Sequence, residues 1–176
     1  MQDTAISPER IKAYLQSFND DSKALALMQE RLSNLESKTS SPRTSNLDGL
    51  PHGSANPVDS IGRQVATLDT LRDAVTDAEA QLARKRQRVE AVIALLRDNR
   101  VSRWPEKTNT LQLRFVDGLS WDDAAEVLFG YLPDFWETPE RYRARLLAYQ
   151  RQALQELAEL CPPELIDDYE ITESGS

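Results

Sequence analysis

One cysteine, one histidine and six glycines in 176 residues leave several chemistries without their usual parts. Cys161 alone cannot close a disulfide within the chain, so a reducing compartment is the expected folding environment. A Ser-His-Asp arrangement would need His52, which stands between Pro51 and Gly53 in a loop-like segment. A loop histidine without Cys or carboxylate partners at ligand spacing points to solvent rather than to a metal. Glycine-rich phosphate loops and paired Cys/His sets are absent too. Neither enzymatic activity nor a cofactor is expected. No apolar run approaches the ~20 residues that span a bilayer, so no membrane is expected as a partner. Met1-Gln2-Asp3-Thr4 has neither the basic nor the apolar part of a secretory signal, which makes the cytoplasm the expected location.

What remains is a foldable, helix-prone composition, with 40% hydrophobic and 28% charged residues. The net charge of −8 is unevenly distributed. Residues 1–83 carry 8 basic and 12 acidic side chains, residues 84–151 carry 13 and 10, and residues 152–176 carry none and 7. Phosphate binding requires Lys and Arg to release counterions. The middle block is therefore where a nucleic-acid face would sit, and the acidic tail (Glu164, Asp167, Asp168, Glu170, Glu173) reads as a solvated, disordered end.

Two long helices are predicted from periodicity. Ser7-Pro8-Glu9-Arg10 reads as a capped helix start, and Ile11, Phe18, Leu25 and Leu32 recur every seven residues to about Glu36, flanked by Leu15, Met28 and Leu35. Asn19-Asp20-Asp21 is the one place where that helix would break. Residues 37–56, rich in Ser, Thr, Pro, Asn and Gly, read as a long loop. From about Val58 to Arg100, Ile61, Leu68, Val75, Leu82, Val89 and Leu96 fall on a strict seven-residue period, with Val65, Leu71, Ala78 and Val92 beside them. Such a seam must be covered by another helix. An antiparallel pair with the first helix is the preferred geometry. A parallel homodimer through the long helices satisfies the same pattern. Arg84-Lys85-Arg86 with Arg88 reads as a solvated face.

The chain changes texture at Trp104-Pro105, where the long helix should end. Thr108 is the expected cap of a short helix to Val116, closed by Asp117-Gly118. Ser120 caps a second, with Ala124, Ala125, Val127 and Leu128 along it. Asp122-Asp123 belongs to that cap rather than to a metal, since neighbours on a helix point about 100° apart. An aromatic turn from Gly130 to Glu137 leads to a last helix begun by Thr138-Pro139-Glu140. On it Tyr142, Leu146, Tyr149, Ala153, Leu157 and Leu160 form the expected core face, while Arg141, Arg145, Ala148 and Gln152 share the opposite edge. Arg141 and Arg145 stand in the first two turns, where a recognition helix carries its base-contacting residues, and Arg143 and Arg151 flank them as candidate backbone contacts.

The stretch from Leu111 through Arg114-Phe115, Gly118-Leu119-Ser120-Trp121 and Asp123-Ala124-Ala125 resembles the "L..RY..G.SW.EIA" segment of sigma-70 region-4-like domains. These occur in phage regulators related to ArpU and RinA, which activate late genes. Lys12-Ala13-Tyr14-Leu15, the Ser41-to-Ser54 loop, the Asp59-led helix and Arg141-Tyr142-Arg143-Ala144-Arg145 extend the resemblance over most of the chain. The usual RY is Arg114-Phe115 here, and the turn before the last helix is long. The resemblance implies a sequence-specific regulator of phage or prophage genes that binds double-stranded DNA and contacts RNA polymerase. The expected fold is all-α: a long antiparallel helical hairpin over 1–103 with a loop at about 37–57, a helix-turn-helix domain over 104–161, and the acidic tail over 162–176. The alternatives are a module that docks on polymerase without reading DNA, and a small-terminase-like packaging component.

Overall fold

The computed structural model describes residues 6–40 and 57–166, and the side chains of these except 57–61. His52 and the acidic residues from Asp167 onward lie outside this range. Among the described residues the chain is all-α, with α1 (Pro8–Ser40), α2 (Pro57–Asp98), α3 (Trp104–Leu111), α4 (Trp121–Phe129) and α5 (Pro139–Leu160). None of these helices is long and apolar enough to cross a membrane.

The start of α1 is the capped one expected, with the Arg10 amide donating to Ser7 Oγ at 3.1 Å. Its end is not. The helix runs past Ser37, where the sequence predicts a loop, to Ser40, because the hydroxyls that would compete with it bond back into it. Ser37 donates to the Ser33 carbonyl at 2.9 Å and Thr39 to that of Leu35 at 2.8 Å. The helix also runs unbroken through Asn19-Asp20-Asp21. Asn19 is buried there, and its amide donates to the Arg114 carbonyl.

The described residues fall into two compact units, one within 22–82 and one within 1–21 and 83–166. In the unit of 22–82, Gln29 reaches Glu79 at 2.7 Å and Arg72 reaches Glu36 at 2.8 Å, so α1 and α2 run antiparallel. These exposed pairs contribute little stability. Apolar burial holds the two helices together, and it is uneven. Leu25, Leu68 and Val75 are buried, Leu32, Leu35, Leu71 and Leu82 only half-buried, and Val65 is exposed.

In the other unit the same seam is fully closed, with Ile11, Leu15, Val89, Val92 and Leu96 inaccessible to solvent. The boundary expected at 103/104 falls inside this unit. Here α2 does not end on Trp104-Pro105. It is already closed by Val101 N donating to the Leu96 carbonyl at 3.1 Å, with Arg100 in the left-handed conformation at φ 50°. That is the Schellman arrangement, with Arg where Gly is usual. Pro105 instead lies in the first turn of α3, where a missing N–H costs nothing. The helix therefore starts at Trp104 rather than at Thr108, behind Arg103 at φ 55°. Its continuation, Gln112–Val116, widens to π geometry.

Gly118, at φ +71°, ends this element as expected and lies against Asn19, whose Nδ2 would be 3.0 Å from an added Cβ. Gly118→Ala should therefore lower stability by about 1–2 kcal/mol from the left-handed backbone alone. Gly62→Ala, in a helix with nothing within 4 Å of the new Cβ, should raise it by about 0.5–1 kcal/mol. Urea unfolding of both variants checks the opposite signs. A Gly118→Ala variant as stable as the wild type would show that the left-handed backbone at Gly118 carries no cost.

The expected N-cap of α4 is present. Ser120 Oγ accepts from the Asp123 amide at 3.1 Å and donates to its carboxylate at 2.6 Å. Ala124 and Ala125 are buried, but Val127, expected beside them, is 60% exposed. At the other end of the turn, Thr138 makes no side-chain cap to α5 and donates to the Asp134 carbonyl instead. The tail expected from 162 is ordered further, through a 3₁₀ turn at Pro163–Leu165 to the buried Ile166.

Candidate nucleic-acid interface

The position of α5 follows from what its apolar face meets. Tyr142, Leu146 and Tyr149 pack with Ala124, Ala125 and Phe129 of α4 and with Phe135 of the intervening turn. The Phe129 and Tyr142 rings lie 5.0 Å apart, and those of Phe135 and Tyr142 5.5 Å apart. Ala153 and Leu157 are buried as expected, and Leu160 is half-buried. Gln150 and Leu154 are buried as well, because α5 packs on α3 in addition to α4. The Tyr142 hydroxyl donates to Asp134 and holds that carboxyl below the usual carboxylate range. This bond ties the turn to the first turn of α5.

Arg114, the arginine of the RY-like pair, has a bracing role. Its guanidinium donates to the Leu119 carbonyl at 2.7 Å and lies over the Trp121 ring at 5.2 Å. It locks the corner that leads into α4. Asp122 and Asp123 serve the start of this helix, and no group of three potential metal ligands exists among the described residues. Cys161, just past α5, is buried and its thiol is pushed up to about 11 by desolvation, so little nucleophilic thiolate forms near neutral pH.

Three of the predicted site residues come together. Arg141, Arg145 and Gln152 are exposed and share one edge of α5 with the half-buried Ala148. Arg141 has a loose ion pair to Asp134 at 3.8 Å with its side chain 76% exposed. Arg145 lies over the Phe129 ring at 5.8 Å. Arg143 is not part of the strip. Two residues from each neighbouring arginine, it turns to the start of α4 and faces Asp122 at 3.6 Å. Arg151 lies on an adjoining edge, in a groove that also contains Lys12, Leu147 and Leu154. No local sequence signal links Lys12 to Arg151, because the fold alone brings the start of α1 to α5. The strip ends in acid, with Glu159 on the same edge about two turns beyond Gln152.

Compared with family models, curated proteins and solved structures, the chain matches none.

Proposed function

We propose that the protein is a DNA-binding regulator of phage or prophage genes, reading the major groove with the Arg141–Arg145–Gln152 edge of α5. The observation that supports this reading is the exposure of that edge on a helix whose opposite face is fixed by buried aromatic packing. A guanidinium that reads guanine must be available and rigidly based. Arg141 has only an exposed pair to release, of the kind worth at most about 1 kcal/mol. Arg151 and Lys12 would serve the phosphate backbone. Arg143, drawn toward Asp122, contributes less than either.

Each bidentate arginine–guanine contact is worth about 1–3 kcal/mol. Arg141→Ala/Arg145→Ala should therefore weaken binding to the preferred site by about two orders of magnitude. Arg151→Ala should weaken all sequences alike and reduce the salt slope by about one. Selection from a random duplex pool, with folded wild type and double variant in parallel, is the test. An enriched motif that the double variant loses supports the reading. Folded protein that enriches nothing at moderate salt overturns it.

A second reading has its own observation. Val127 in the last turn of α4 is 60% exposed, and Tyr131 and Trp136 in the turn that follows are 79% and 66% exposed. Large apolar side chains left open in this way suit a protein partner, with RNA polymerase as the candidate. On that reading DNA binding would be sequence-indifferent and would collapse steeply with salt.

A further inference from the structure

The unit of residues 22–82 has an apolar face that its own two helices do not cover. A groove of about 610 Å³ is lined by Leu35 of α1 and by Ala66, Thr67, Thr70, Leu71 and Ala74 of α2, with Arg31 and Arg63 beside them. The threonines add little polarity, since Thr67 Oγ1 donates to the Arg63 carbonyl at 2.8 Å and Thr70 Oγ1 to that of Ala66 at 2.9 Å. Their hydroxyls are satisfied within the helix, leaving the methyl groups to face outward. Two helices alone rarely bury a core, and bundles close such faces with a second pair.

The pattern of α2 across this groove is self-complementary. Arg63, Thr70 and Asp77 are seven residues apart and exposed on one face. Reversing the helix about Thr70 exchanges Arg63 with Asp77, Ala66 with Ala74, and Thr67 with Asp73. Arg63 and Asp77 have no ion pair among the described residues, whereas Arg72 in the same unit is paired twice. An in-register parallel partner would set Arg63 on Arg63 and Asp77 on Asp77. We infer that the occupant of the groove is a second copy of this chain, docked through residues 22–82 with the two α2 helices antiparallel about Thr70. The opposed alanines let the backbones approach closely, and the two outer Arg63–Asp77 pairs set direction and register.

Sedimentation equilibrium of the full chain tests this directly. The expected mass is twice 19.9 kDa. Arg63→Asp places acid on acid at both ends of the pairing and should raise the dissociation constant at least about tenfold. Arg63→Asp/Asp77→Arg restores the pairing and should recover the dimer. All of these side chains are exposed, so helicity by circular dichroism should be unchanged. Under mild oxidation Thr70→Cys should form a covalent dimer and Arg63→Cys should not, with buried Cys161 giving little background. A monomer, a ring of many subunits, a charge reversal without effect, or equal crosslinking at both positions would each overturn the proposal. Arg141→Ala/Arg145→Ala should leave the dimer unchanged, which separates this test from that of DNA reading.

Discussion

Replacing Glu156 by alanine should destabilise the protein by about 2–4 kcal/mol. The reason lies in where its partner is held. Lys107 Nζ donates to Glu156 Oε1 at 2.6 Å, and the lysine side chain is 4% exposed against 32% for the glutamate. A buried ammonium is tolerable only while its counter-charge stays, and removing one member of a buried pair costs about 3–5 kcal/mol. Water reaching Glu156 trims that figure. The converse change should cost a comparable amount. Lys107→Met takes away the desolvated ion but leaves a carboxylate whose Oε2 is buried and bonded to nothing. Lys107→Met/Glu156→Leu, apolar on both sides, should fall within about 1–2 kcal/mol of wild type. Urea midpoints of the three variants at neutral pH decide this. Single losses within about 0.5 kcal/mol of wild type, or a double variant as costly as either of them, would show that Lys107 and Glu156 do not form a buried pair.

That ion pair, which joins α3 to α5, has no signature in the sequence. Lys107 reads as an ordinary polar residue beside Thr108 and Glu156 as a solvated position on α5, because only the docking of the two helices sets one against the other. The legible features are local ones. The seven-residue rows of α1 and α2 could be read because a coiled seam repeats its own spacing, and the Ser120 cap because donor and acceptor are three residues apart. Helix ends were harder. Ser37 and Thr39 look like loop residues until their hydroxyls are seen to bond one turn back. Pro105 looks like a terminator but opens a helix, the turn having been made earlier by Arg100 and Arg103 in left-handed backbone. Of the candidate site, the edge shared by Arg141, Arg145 and Gln152 follows from helical geometry alone. The fate of Arg143 does not, since it depends on Asp122 of another helix.

The aromatic turn between α4 and α5 is the extreme case, and it leads to the second large effect. Phe135→Ala should cost about 3–5 kcal/mol, the usual range for emptying a buried aromatic site. Trp136→Ala should stay within about 0.5 kcal/mol of wild type, as exposed substitutions generally do. The two residues are neighbours in the sequence, and nothing local tells one aromatic from the other. Phe135 is 3% exposed, packs against Tyr142 at 5.5 Å and holds the turn against the first helical turn of α5. Trp136 is 66% exposed and touches the cluster through the edge of Phe135 at 5.1 Å. Losing Phe135 frees the segment from which Asp134 reaches Tyr142 and Arg141, so the start of α5 should lose its fixed orientation together with its stability. Guanidinium unfolding gives the first quantity. On the proposed reading, Phe135→Ala should also weaken DNA-site selection below the unfolding midpoint, while Trp136→Ala leaves selection intact and impairs only a protein partner. Equal destabilisation by both substitutions would mean that the turn is anchored otherwise than through Phe135. A Trp136→Ala variant that folds normally but selects no DNA would move the reading surface from the α5 edge to the turn.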